Sequence, residues 1–278
     1  MRCLPLSVRF TWLRSLVVFP LALACWGAEP PDPRELVRRS IERLQDSEDT
    51  QRNYEYLIHR DTKEFHSDGK SRKQSATVLR KEFDGQFIVV RLLERDGQPI
   101  PEAERRQNEE TIRKRLAEFK AKPPEEIKKL RAENRRRSRE EDSWLQEAHE
   151  ALDFKPAVEE TIHGRAARVL ECSPRSGYQA KNMRARVFEK MRGRIWIDKT
   201  DSELVRADIE VFDTVSIAWG LVGKIGKGTK FFLQRRKVAS DAWLLEAQTI
   251  KLDARFLLVK SMRTESSVRY SEFRHKGD

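Results

Sequence analysis

"GRIWIDKTDSELVRADIEVFD", residues 193–213, decides the fold. Apolar and polar side chains alternate through Leu204–Val211 with a period of two, as in a half-buried strand. On that alternation Val205, Ala207, Ile209 and Val211 point one way, and Arg206, Asp208 and Glu210 the other. Thr200-Asp201-Ser202 turns the chain back from the preceding strand, so the stretch predicts an antiparallel hairpin.

Strand signals continue on both sides of it. "VEETIHGRAARVLECSP" reads as a hairpin about His163-Gly164, and "WLLEAQTIKLDARFLLVKSM" and "RTESSVRYSEF" supply long strands towards the C-terminus. Upstream, "NYEYLIHRDTKEFH", "SATVLRKEF" and "QFIVVRLLER" are separated by Asp68-Gly69, Asp84-Gly85 and Asp96-Gly97. Asp-Gly pairs between alternating segments favour tight hairpin turns, so these mark an antiparallel meander. The sequence predicts about ten strands in all.

Two helical regions interrupt the strands. Asp32 can cap a helix whose first turn holds Pro33, with Glu35 completing a capping box. Leu36, Val37, Ile41 and Leu44 then form one apolar stripe, opposite Arg34, Arg38, Arg39 and Arg43. Residues 101–152 are dominated by Glu, Lys and Arg, with Pro123-Pro124 in the middle; Ile112, Leu116 and Phe119 form a thin stripe, Ile127 and Leu130 begin another, and Trp144, Leu145 and Ala148 finish it. This predicts a charged helical hairpin inserted into a β-protein. The expected class is α+β: a single strongly curved antiparallel sheet with the N-terminal amphipathic helix on its inner face.

The ends and composition bound the setting. Arg2, Arg9 and Arg14 precede a short apolar run and then "ALACWG", the pattern of an export signal over residues 1–24, with one domain over 25–278. The run is too short for a permanent membrane span. The bond before Cys25 admits two outcomes, ordinary cleavage or acylation of Cys25 as a lipoprotein. The protein is therefore expected in the periplasm, secreted, or tethered to the outer membrane. Removing residues 1–24 takes three arginines and no acid, lowering the net charge from +11 to +8. Cys172 is the one cysteine left in the body, so no internal disulfide framework is expected and packing must hold the core.

Several chemistries fit poorly. "LVGKIGKGTKFF", residues 221–232, places Gly228 five after Gly223, but Thr229 and Lys230 follow in the reverse of the phosphate-loop order, and a strand, not a helix, comes next. A Cys172–His163 nucleophile has no orienting third group. His59 and His66 face opposite ways on one strand, as do Glu159 and Glu160. No catalytic residue, metal site or cofactor is predicted. Between residues 102 and 143, 14 Lys/Arg are interleaved with 11 Asp/Glu and lack interleaved aromatics, which speaks against nucleic acid and for pairing along the helices.

The leading helix, the "YEYLIHRDTKEF" strand and the "GRIWIDKTDSELVRADIEV" hairpin together resemble the periplasmic lipoprotein-carrier family, the LolA/LolB-like half-barrel shared with RseB-like regulators. They are similar too to uncharacterised outer-membrane-lipoprotein-sorting-like proteins. Trp196, Asp198, Leu204 and Arg206 carry the hairpin's part of the likeness. The resemblance implies a concave apolar face that holds acyl chains; the insert departs from it. Candidate lining residues are Phe87, Val89, Trp196, Val205, Ile209 and Val211, with Arg206 at the rim for an anionic head group. Trp219, Leu221, Lys224 and Lys227 form a candidate contact with an anionic membrane. The expected protein is a non-catalytic monomer of the cell envelope that binds a lipid or an acylated, lipoprotein-like ligand. The alternative is a regulatory or structural module that docks a partner protein through residues 102–150.

Overall fold

The computed structural model describes residues 31–66, 68–85, 87–216, 224–256 and 260–277. The export segment, Cys25, Gly223, and Trp219 and Leu221 of the membrane-contact loop lie outside them. Helix α1, Pro33–Gln51, leads into strands β1 (Tyr54–Phe65), β2 (Ser71–Asp84), β3 (Phe87–Arg95) and β4 (Gln98–Pro99). The insert follows as α2 (Glu102–Lys120), α3 (Pro124–Asp142) and, after a 3-10 turn at Ser143–Glu147, the short α4 (Ala148–Ala151). Strands β5 (Leu152–Pro156), β6 (Glu160–Ile162) and β7 (Arg165–Pro174) precede a second 3-10 helix, Ala185–Lys190. Then come β8 (Met191–Asp198), β9 (Leu204–Val211), β10 (Val215–Ser216), β11 (Lys224–Ile225), β12 (Lys230–Ala239), β13 (Ala242–Phe256) and β14 (Lys260–His275).

The fourteen strands form one antiparallel sheet, an open half-barrel with the main order β4-β3-β2-β1-β14-β13-β12-β9-β8-β7-β5. The count exceeds ten because β4, β10 and β11 are two-residue pairings too short for any periodic signal. The three Asp-Gly turns join β1 to β4 as expected, with positive φ at Gly69, Gly85, Asp96 and Gly97. Such φ values are cheap for glycine and tolerated by aspartate. What sequence alone did not pair is the contact of β1 with β14, which brings the two ends of the described chain together.

α1 lies on the inner face and touches β13, β9 and β5. Its stripe, Leu36, Val37 and Ile41, packs into the main core with Leu170, Phe188, Ile197 and Val211. Asp32 caps it by accepting from the N–H of Arg34 at 3.2 Å. The expected capping box is half-formed: the Glu35 carboxylate instead accepts from Arg38 and Arg39, whose guanidiniums offer stronger charged bonds than a backbone N–H. The helix runs one to two turns beyond Leu44 because its end is secured from outside. Lys81 of β2, 5% exposed, donates to the carbonyls of Gln51, Arg52 and Tyr54. The first two are among the orphan acceptors a helix end presents, and Tyr54 opens β1. Burial holds the Lys81 ammonium down at about 8.

The β8–β9 turn is fixed by charge. Asp198, 1% exposed, accepts from the N–H groups of Thr200 and Asp201 and from both arms of Arg165 at 2.7 and 2.9 Å. Asp201 in turn accepts from Arg165, Lys237 and the Trp243 indole. Burial pushes the Asp198 carboxyl up, but Arg165 and the two N–H groups outweigh it, and the carboxyl titrates below its ordinary range.

The strict alternation read over Leu204–Val211 fails at its first residues. Ile197 pairs with Leu204 but Trp196 pairs with Arg206, so Val205 is an extra residue in a β-bulge. Ala207, Ile209 and Val211 do share the inner face, while Val205 joins Trp196, Val169 and Trp243 in a separate outer cluster. Among the described residues no helix is long and apolar enough to cross a membrane.

Candidate functional site

Between α1 and the sheet lies a cavity of about 650 Å³. Val37, Ile41 and Leu44 of α1 form its roof, and Ile195, Ala207, Ile209, Phe231 and Leu233 its floor. The floor residues meet by register: Ala207 faces Ile195 on β8 and Leu233 on β12, and Ile209 faces Phe231. Trp144 and Phe188 close one side with their rings 5.2 Å apart. Gln248 and Ile250 of β13 stand on the other. A space this size falls within the range of ligand sites and far exceeds the voids that ordinary core packing leaves.

The walls are almost wholly apolar. Ser40 already bonds its own helix, at the Val37 carbonyl. Among the described residues Arg184 is the single charged side chain lining the space, and it is exposed, standing where the cavity meets solvent. Its loop is held by Glu147, whose carboxylate accepts from Lys181 N–H at 3.0 Å and from Tyr178 and Asn182 side chains. Such a site offers area and one positive charge, which suits a long apolar group ending in an anion.

The predicted site residues separate into three places. Ile209 lines the cavity, and Val211, 0% exposed, is sealed in the core beside it. Phe87 and Val89 sit under α2 at the β3 end of the sheet, where Phe119 meets Phe87 edge-on at 5.5 Å. Trp196, Val205 and Arg206 lie on the outer face, with Arg206 held between the rings of Trp196 and Phe232 at 4.9 and 5.1 Å. Lys224 is on β11, and Lys227 is exposed in the Gly226–Gly228 turn. That turn locks onto β13: Thr229, fully buried, exchanges hydrogen bonds with the backbone of Asp253. A side chain at Gly226 would meet the Asp253 carbonyl at 3.0 Å. Gly226 serves close backbone approach, and Gly228 supplies a φ of 88°.

Sequence reading missed most of the cavity wall. Phe231 and Leu233 carried a usable signal, since they alternate on a strand opposite Lys230; Trp144 was read into the insert's stripe and not into a cavity wall, Phe188 lies in a 3-10 helix without periodicity, and Arg184 in an irregular loop. Cys172 also lines the cavity, buried between Phe154 and Gly193 in register, and burial pushes its thiol up to about 11. His163 is at the far end of β7, bonded to Glu246 at 2.8 Å, so the two do not meet. The described residues hold no group of three or more His, Cys, Asp or Glu placed for a metal ion.

An open antiparallel half-barrel with a helix-roofed apolar cavity is the class that this geometry defines. Among solved structures the chain is similar to a domain described as an outer membrane lipoprotein-sorting protein from Vibrio parahaemolyticus, at 8% identity and TM-score 0.30 over 87% of this chain and 94% of that one. It is similar to a DUF1329 family protein from Desulfovibrio piger (13%, 0.30, 88% and 94%) and to a LolA superfamily protein from Nitrosomonas europaea (9%, 0.27, 86% and 93%). The lipoprotein-sorting domain and the LolA superfamily protein are of the kind that the sequence resembles. No protein-family model matches the chain, and no curated protein does.

Proposed function

We propose that this protein is a cell-envelope binding protein that holds the acyl chain of a lipid or acylated protein under α1, without chemistry on it. The cavity itself supports the reading: about 650 Å³ walled by aliphatic and aromatic side chains, with Arg184 the one charged lining residue among those described. Burial of a methylene is worth about 0.8 kcal/mol, so some twelve of them gather on the order of 10 kcal/mol before association costs. With an association cost of at least about 4 kcal/mol, net binding in the tens of micromolar or weaker follows, with the chain inside and an anionic head at Arg184.

The test is titration of delipidated protein with a fluorescent fatty acid. Saturable one-to-one binding that Ala207→Trp abolishes supports the reading. Absent binding, or equal binding by the variant, overturns it. The partner-docking alternative draws on a different observation: α2 buries none of its residues, so its polar faces stay available.

A further inference from the structure

The insert frames a second groove, which the cavity does not explain. α2 lies against one face of β3, where Glu109 pairs with Arg91 and Glu104 with Arg95. Ile88 and Val90 point to the other face, in register with Phe83 and Lys81 of β2. Since Lys81 ties the end of α1, this is the inner face, just beyond the last turn of that helix. α3 returns past the same end, where Arg139 reaches Asp49 at 3.4 Å. β4 pairs only with Glu94 and Arg95 of β3, so among the described strands the β3 edge from Phe87 to Leu92 is open, and round that edge α2, α3 and both faces of β3 bound one groove of about 900 Å³.

Its composition is lopsided. The floor carries Ile88 and Val90, which are 48% and 46% exposed, two of four large aliphatic side chains left open among the described residues. Among the described residues five cations line the groove, Arg52, Arg115, Arg131, Arg135 and Lys276, against one acid, Asp49, which already pairs with Arg52 and Arg139. Elsewhere on the hairpin, three arginines pair with neighbouring glutamates: Arg105 and Arg106 with Glu102, Arg136 with Glu140. Among the described residues Arg113 and Arg137 lack such a pair away from the groove, and Arg115 and Arg135 lack one within it. Neither of the latter two has an acidic partner among the described residues, and both face the groove.

We propose that this groove binds a phosphate-headed, single-chain amphiphile, with the head between Arg115 and Arg135 and the tail over Ile88 and Val90. Guanidinium groups match phosphate oxygens in paired hydrogen bonds, and the exposed aliphatics supply the tail contact. The volume is that of a small-ligand cleft.

The test is a titration of isoleucine- and valine-methyl-labelled protein with dodecyl phosphate at low salt. Saturable shifts at Ile88, Val90 and Ile112 are expected, while inorganic phosphate and dodecyl maltoside leave them in place. Each of Arg115→Gln and Arg135→Gln weakens binding about tenfold, and added salt weakens it further. Ile41 and Ile209 report the α1 cavity separately, and their unchanged reference positions show that the variants are folded. Unmoved groove methyls, equal response to the maltoside, a double variant that binds as tightly, or a tighter response to an acidic peptide overturns the proposal.

Discussion

Replacing Ala207 by leucine separates an open cavity from a packed interior by the sign of its effect. Ala207 is 8% exposed at the centre of the floor, between Ile195 and Leu233. Leucine adds three carbons, worth about 2.4 kcal/mol if all are buried at ~0.8 each. Fixing the longer side chain takes back about 0.5–1 kcal/mol. The cavity has room for the added carbons without displacing neighbours, so the delipidated variant gains on the order of 1.5 kcal/mol. In a filled core the same change overpacks and costs about 1–3 kcal/mol. Urea unfolding followed by circular dichroism reads the difference, and melting should rise by roughly 3–6 °C. Fatty-acid affinity should fall in the same variant, because leucine occupies ligand space. A loss of 1 kcal/mol or more in stability, with affinity unchanged, refutes the reasoning.

Three further substitutions probe what supports the site. Asp198→Asn removes the charge that Arg165 grips, and because Arg165 keeps Asp201 at 3.0 Å the loss is about 2–3 kcal/mol, below that of a wholly orphaned buried pair. The folded-state carboxyl titrates below its unfolded value, so its contribution is complete above the ordinary carboxylate pKa and is lost as acid carries the pH through the folded one; the Asn variant should lack that part of the acid denaturation profile. Lys81 shows the opposite dependence: with the folded amine at about 8, the unfolded state binds more protons between there and the ordinary lysine pKa. The wild type should therefore gain stability relative to Lys81→Met as pH rises through that window, which parallel urea titrations check. Gly193→Ala would place a methyl 2.1 Å from the Asp208 carbonyl, forcing β8 from β9, and should lower melting by several degrees.

Local features were legible in the sequence to the extent that local physics fixes them. Asp-Gly pairs announce turns because few residues tolerate positive φ, and three hairpins followed directly. The start of α1 was visible in Asp32 and Pro33, whereas its end was not, since Gln51 is held by a lysine on a strand 30 residues away. The inserted hairpin was evident from its prolines and charges. Which face each strand shows was readable along β12 but not at Val205, where a bulge turns that residue outward beside Arg206. Trp196 followed the same error, as an aromatic that looks like lining yet packs under residues 157–162 on the outer side. The rest of the cavity depends on strand order and on irregular turns, and neither leaves a period in the sequence.

Native mass spectrometry of the protein after mild extraction from its own cells tests the central claim most directly. The account predicts a co-purifying mass of one acyl-bearing molecule per chain, absent from Ala207→Trp and regained when delipidated wild type is mixed with a fatty acid. A wild-type protein that emerges empty and stays empty under fatty acid would contradict it.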